Sequence, residues 1–193
     1  MKINLPTTRV TYKLPSILST EEVKRIIKAT HNIKYKTLLM VIYSAGLRVS
    51  EAVNLRIKDI DSDQMMLRIR CGKTRKERYA LLSSVTLKYL RAYWRCCKFT
   101  DYVFPGSDLN TPISIRTVSE LYQSAKELAE INKPGGVHTL RHAFATHMLE
   151  SGKDLFIIKQ LLGHSSIQST TRYLNFVLCK NKNIKSPLDQ LNI

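Results

Sequence analysis

The chain has 193 residues, 44% hydrophobic and 24% charged, which suits one globular domain with a well-buried core. Its 31 Lys+Arg against 15 Asp+Glu leave a net charge of +16, too large a surplus for surface solubility alone and suited to a polyanionic partner, nucleic acid first. No run approaches the roughly 18 apolar residues that cross a bilayer, and Met1-Lys2-Ile3-Asn4-Leu5-Pro6 lacks the apolar stretch of a signal peptide, so no membrane partner and a cytoplasmic location are expected. A ribosomal or membrane-surface protein would share the charge, but here it is spread along a periodic sequence, not gathered in a tail.

Residues 1–15 read as an extended linker or arm, punctuated by Pro6 and Pro15. Ser19-Thr20-Glu21-Glu22 is a capping box that opens a helix running to about Thr30. A strongly apolar helix over Tyr35 to Ala45 is closed by Gly46, where a residue tolerant of positive φ is wanted, so Arg48 emerges at a helix-to-helix corner. From Ile57 to Leu82 the pattern alternates: Met66, Arg68 and Arg70 share one face of a strand, Leu67, Ile69 and Cys71 the other, and Gly72 to Glu77 forms a polar turn before Tyr79 to Leu82. Helices resume at about Ser84 to Lys98, Ile115 to Glu130, His138 to Glu150 and Leu155 to Leu162, separated by Pro- and Gly-containing joints. The fold class is therefore mainly α with a small three-stranded antiparallel sheet. Cys71, Cys96, Cys97 and Cys179 form no CxxC pair, so free thiols and no zinc site are expected.

The C-terminal third concentrates chemistry-bearing side chains: His138-Thr139-Leu140-Arg141-His142, then Leu161-Leu162-Gly163-His164, then Thr171-Arg172-Tyr173. A phosphodiester attacked by an oxygen builds negative charge on its non-bridging oxygens, and a guanidinium offers them two parallel donors. Arg48 and Arg141 can clamp such a group from two sides; Arg141 lies three positions after His138, on the same side of a helix. A phenol such as Tyr173 can attack without metal or bound water and store the broken bond as a phosphotyrosine. The chain has nine tyrosines, and a lone one is ordinarily an amphipathic core residue, the reading given to Tyr43 and Tyr89. Metal ligation competes for His138, His142, His147 and His164, but no carboxylate or Cys ligand lies nearby and arginine would repel a cation. His142 and His147 read as packing or capping residues of their helix, and Phe144 and Met148 as core.

In order and interval these motifs, with Gly46-Leu47-Arg48-Val49-Ser50-Glu51 and the basic turn around Lys73, resemble the tyrosine recombinases, or phage integrase family, from about Leu14 to Tyr173. The resemblance implies a catalytic set of Arg48, Lys73, His138, Arg141, His164 and Tyr173, with Tyr173 the nucleophile. Lys73 would be the general acid for the departing 5′-hydroxyl, Lys76 being its neighbouring rival. His138 and His164 would bond the phosphate, and His138 is a candidate acceptor of the phenolic proton. Glu51 resembles the carboxylate that orients the arginine and lysine, and an exposed helix residue is the plain alternative. Arg75, Lys76, Arg78 and Arg172 are DNA-binding candidates.

The resemblance also implies a site-specific recombinase acting on double-stranded DNA through a 3′-phosphotyrosyl intermediate, with no cofactor, metal or ATP. A type IB topoisomerase and a DNA-binding relative remain the alternatives. Residues 16–178 form the expected catalytic domain, and 179–193 a tail with a candidate short helix from Leu188, for which the resemblance implies docking on a neighbouring protomer and docking on the same chain or fraying is the plain alternative. A homotetramer on paired sites, a monomer in free solution, and association with the nucleoid when bound to DNA are expected. The family commonly carries a helical clamp domain before the catalytic one. Here about fifteen residues precede the first helix, so the chain is either a fragment or a minimal recombinase. The +16 charge predicts salt-sensitive binding to duplex DNA, with each neutralised phosphate adding roughly 0.9 to the slope of log affinity against log salt. Titration of one duplex at several salt concentrations checks this, and a slope near zero would contradict the electrostatic argument.

Overall fold

A computed structural model describes residues 16–70, 77–99, 101–164, 166–171, 173 and 174. Among these, α1 (Thr20–Ala29), α2 (Ile33–Ser44) and α3 (Val49–Val53) lead through one 3-10 turn (Ile57–Asp59) into a sheet of β1 (Ile60–Asp61), β2 (Met66–Ile69) and β3 (Arg78–Leu81). Four helices follow: α4 (Ser84–Cys97), α5 (Ile115–Leu128), α6 (His138–Glu150) and α7 (Leu155–Leu162). The strands pair antiparallel in the order β1-β2-β3, with Leu67 opposite Ala80 and Arg68 opposite Tyr79. This is the expected mainly α class with a small antiparallel sheet. The expected arm, the turn holding Lys73, and the C-terminal tail lie outside the described residues.

Local chemistry sets these boundaries. Ser19 accepts from the Glu22 amide at 3.2 Å while Glu22 accepts from the Ser19 amide at 2.6 Å, the capping box read from the sequence. On β2, Leu67 and Ile69 are buried and Arg68 is exposed, so the alternation carries over directly. Helix α2 is central: Leu38, Leu39, Val41 and Ile42 are fully enclosed, and the helix packs against α4, α6 and α3. Its apolar run turns away no face to solvent because it is surrounded. Tyr89, read as core, is instead 38% exposed on α4. Cys96 and Cys97 are free and exposed, while Cys71 and Cys179 lie outside the described residues.

A smaller core of Phe144, Ala145, Ile158, Leu162 and Tyr173 joins α6 to α7 and to the segment after it. Gly46 connects this cluster to α2. The chain ends α2 in a Schellman turn, with Leu47 N–H on Ile42 O at 3.1 Å and Gly46 N–H on Tyr43 O at 3.3 Å. Gly46 takes φ +61°, and a β-carbon there would stand 2.4 Å from Phe144 Cδ1 and 2.9 Å from Leu162 Cδ2. Gly46→Ala combines left-handed strain with overpacking and should cost roughly 2–4 kcal/mol. Thermal melts should show a fall of roughly 5–15 °C. An unchanged melting temperature would mean that Phe144 and Leu162 yield freely.

Candidate active site

One carboxylate organises the site. Glu51 is the third residue of α3, and its Oε2 accepts from the Arg48 amide at 2.8 Å while its Oε1 accepts from Arg48 Nη1 at 2.8 Å. A glutamate at this position of a first helical turn reaches back to the capping residue, so a local motif fixes both partners. Two further arginines converge on it from distant elements: Arg78 Nη2 of β3 at 2.8 Å and Arg141 Nη1 of α6 at 3.6 Å. The Glu51, Arg78 and Arg141 side chains are 10%, 10% and 5% exposed, and Arg48 is 26% exposed. Burial would push the Glu51 carboxyl up, but Arg78, the Arg48 amide, Arg141 and the Arg48 guanidinium outweigh it and hold it below its ordinary value.

Three guanidiniums around one carboxylate leave a surplus of positive charge, and backbone carbonyls help to carry it. Arg141 donates to Gly46 O and to Leu162 O, both at 2.7 Å, and Arg78 donates to Leu161 O. Leu161 and Leu162 end α7, where exposed carbonyls and the helix dipole favour cations. Burial and then the Arg48 charge push the Arg141 guanidinium down to about 10 against the opposing pull of Glu51, so it stays charged at neutral pH. Helix α7 closes in the same turn as α2, with His164 N–H on Lys159 O at 3.2 Å and Gly163 N–H on Gln160 O at 3.0 Å. Gly163 has φ +62°, and a β-carbon on it would meet Arg78 Cδ and Nε at 2.5 Å. The Gly-His pair thus gives Arg78 its passage and delivers His164 directly after the turn.

His138 opens α6, with the residues before it pinned by Lys126, whose ammonium donates to Lys133 O and Gly135 O, and by Lys133, which pairs with Glu22 at 2.6 Å. Loss of hydration, then the Arg141 and Arg48 charges, lower the His138 imidazole below its ordinary value. A helical turn over residues 168–171 continues to Tyr173, which is 3% exposed. The Tyr173 hydroxyl lies 2.8 Å from His142 Nδ1, and its ring stacks on His164 with centroids 6.4 Å apart and planes 13° apart. His164 is in turn joined through Nδ1 to Thr170 Oγ1 at 2.8 Å.

The structure therefore gathers Arg48, Glu51, Arg141, His164 and Tyr173 around the ends of α3, α6 and α7, with His138 under the charges of both arginines. Lys73, Arg75, Lys76 and Arg172 lie outside the described residues. Two readings change. Arg78, expected at the DNA surface, is an interior residue on Glu51 and the end of α7, because Gly163 leaves room for its stem. His142, expected to pack or cap, touches the proposed nucleophilic oxygen. The signal for His142 was available, since it lies one turn after His138 and so on the same helical face. No local pattern marks Arg78. His147 does pack, bonded to the Tyr43 hydroxyl at 2.9 Å. Among the described residues no group of three or more His, Cys, Asp or Glu could hold a metal ion, and no helix is long and apolar enough to cross a membrane.

A helical domain with a small sheet, three arginines on one glutamate and a tyrosine behind a Gly-His turn defines a class. The chain belongs to the phage integrase family, whose model matches residues 16–177. It is 41% identical over 187 residues to a putative integrase/recombinase, y4qK, of Sinorhizobium fredii, covering 97% of this chain and 61% of that protein. The chain thus spans about three fifths of the length of that relative. It is similar to the crystal structure of the XerA recombinase, with a TM-score of 0.79 and 28% identity over 89% of this chain and 67% of that one. The fold is shared with the XerH site-specific recombinase bound to a palindromic difH substrate in a post-cleavage complex, with a TM-score of 0.79 and 23% identity over 92% of this chain and 54% of that one.

Removing the shared carboxylate isolates buried charge. Glu51→Gln leaves Arg78 and Arg141 enclosed without their counter-ion and should cost about 3–5 kcal/mol at pH 7. Because the folded carboxyl sits below its ordinary value of ~4.3, its contribution is complete above that value and lost as pH falls through the lower folded one. Urea melts of both proteins should differ clearly at pH 7, and the gap should narrow progressively as pH falls below the ordinary carboxylate value. A gap that persists undiminished in acid would contradict the electrostatic account.

Proposed function

We propose that this chain is the catalytic domain of a tyrosine-type site-specific recombinase, which cleaves and rejoins double-stranded DNA through a 3′-phosphotyrosyl intermediate. The observation that carries the reading is the convergence of Arg48 and Arg141 on Glu51 with the Tyr173 hydroxyl held on the same helix as Arg141. Arg48 and Arg141 grip the non-bridging oxygens of the scissile phosphate, and their positive surplus is met by the charge that grows there during attack. Glu51 fixes the direction of both guanidiniums. His138 and His164 bond the phosphate oxygens. Tyr173 attacks phosphorus, and Lys73 protonates the departing 5′-oxygen, so neither metal nor ATP is needed for charge stabilisation or for religation.

Arg75, Lys76 and Arg172 contact the DNA backbone in this reading. Residues 16–178 form the catalytic domain, 1–15 an arm, and 179–193 a tail that docks on a neighbouring protomer in a tetramer formed on paired sites. The capture of XerH on DNA after cleavage supports the choice of partner, since the two domains share a fold.

The test is covalent capture. The purified chain is incubated with a pool of nicked duplexes carrying randomised arms, and the products are run on denaturing gels. Wild type should yield a covalent adduct that survives EDTA, whereas Tyr173→Phe should bind DNA and yield none. Adduct formation by Tyr173→Phe would overturn the assignment.

A further inference from the structure

We propose that His142 accepts the Tyr173 proton during cleavage and returns it during religation; this rests on the recombinase reading above. The family resemblance directs attention to His138 as the proton acceptor, but the geometry points one helical turn further on. The Tyr173 hydroxyl is 2.8 Å from His142 Nδ1, at hydrogen-bond distance, and the two rings are 5.8 Å apart at 46°. No bond between His138 and Tyr173 is formed among the described residues. A general base has to lie within hydrogen-bond reach of the proton that it takes, and His142 meets that condition in the resting protein.

Both members of the pair are held from several sides. His142 sits on α6 between Arg141 and Ala143, which are buried, and Arg141 is anchored on Gly46 O and Leu162 O at 2.7 Å each. Its backbone therefore cannot drift relative to the arginine that grips the phosphate. Tyr173 packs with Phe144, Ile158 and Leu162, and its ring lies flat against His164, itself bonded to Thr170 at 2.8 Å. At 3% exposure the tyrosine gives its proton little access to bulk water, so the acceptor has to come from the protein.

The atoms balance without a further reactant. The Tyr173 O–H bond breaks as the oxygen–phosphorus bond forms, and the proton passes to His142 Nδ1. The bond from phosphorus to the 5′-oxygen breaks, and that oxygen receives a proton from the separate acid, Lys73 in the reading above. In religation the 5′-hydroxyl attacks phosphorus and the leaving phenolate recovers its proton from the His142 imidazolium. A phenol ordinarily ionises near pH 10 and an imidazole near 6.5, so the transfer accompanies bond formation and does not precede it. Among the described residues, the charged and titratable groups against this pair include Arg141, which directly precedes His142 and feels the charge of Tyr173, and His164, whose ring stacks on Tyr173.

Asparagine separates proton transfer from positioning. Its side-chain oxygen lies close to where Nδ1 lies in histidine, so His142→Asn keeps a hydrogen-bond acceptor for Tyr173 but cannot take the proton. Single-turnover cleavage is measured against pH on the nicked duplex that gives most adduct, for wild type, His142→Asn, His142→Ala and His138→Asn. Melting temperature and DNA affinity are recorded for each. The expected result is a loss of about 10²–10³-fold in rate for His142→Asn with unchanged DNA affinity, and disappearance of the acidic limb of its pH profile. A substrate with sulfur replacing the bridging 5′-oxygen, whose departure needs no acid, should leave that defect in place. Wild-type cleavage by His142→Asn would overturn the proposal, as would recovery on the sulfur substrate or an acidic limb lost only in His138→Asn. Failure of wild type to form any adduct would instead sink the recombinase reading itself.

Discussion

The Glu51 carboxylate, shared by three guanidiniums, is the interaction on which the site and much of the fold depend. Arg48 reaches it from the α2–α3 corner, Arg78 from β3 and Arg141 from α6, so one acidic group ties the sheet to two helical layers. A buried ion cluster is a poor source of net stability, because desolvation consumes most of the Coulomb gain. Its value lies in direction. A guanidinium is planar, and those of Arg78 and Arg141 have only a few orientations that satisfy the carboxylate and a carbonyl together, so the cluster fixes where their remaining donors point. Charge within it does not cancel, and the proposed grip on a phosphate draws on that surplus.

Helix ends make that surplus tolerable. The last carbonyls of α7 receive Arg78 and Arg141, and Gly46, just past the end of α2, gives Arg141 another. The α7 carbonyls carry the negative end of the helix dipole, so like-charged side chains can sit close together where side-chain carboxylates are scarce. Both helices end in the same glycine turn, and each glycine meets a different constraint. Gly46 lets Phe144 and Leu162 approach the backbone, whereas Gly163 lets Arg78 pass. The two sequence motifs are thus packing solutions as much as catalytic signatures.

Much of this was legible because it is local. The Ser19 capping box, the Gly46 helix stop, the alternation of Leu67 and Ile69, and the limits of α6 and α7 each depend on residues within a few positions of one another. The pairing of Glu51 with Arg48 is legible for the same reason, being a first-turn contact. What the sequence hid is the convergence of distant elements. Arg78 occupies a basic stretch that reads as surface, and only the missing β-carbon of Gly163, 85 positions away, gives its stem an interior path. Tyr89 failed for a simpler reason: helical spacing gives a face, but tertiary packing decides whether that face is covered.

Helix α6 presents two histidines bonded through Nδ1 to tyrosine hydroxyls, His142 with Tyr173 and His147 with Tyr43, so the hydrogen bond alone cannot select a nucleophile. Electrostatic surroundings can. Burial, then the charge of Glu150, pushes the Tyr43 phenol up, which makes its oxygen a poorer source of phenolate. A phenolate at Tyr173 is close enough to Arg141 for the two charges to attract, and Arg141 directly precedes His142 in the chain. His147 lies five residues beyond His142, about 7.5 Å further along the helix axis and away from the arginine cluster. Two nearly identical pairs on one helix therefore part in their surroundings, the Tyr43 phenol facing the Glu150 carboxylate and the Tyr173 phenol facing the Arg141 guanidinium.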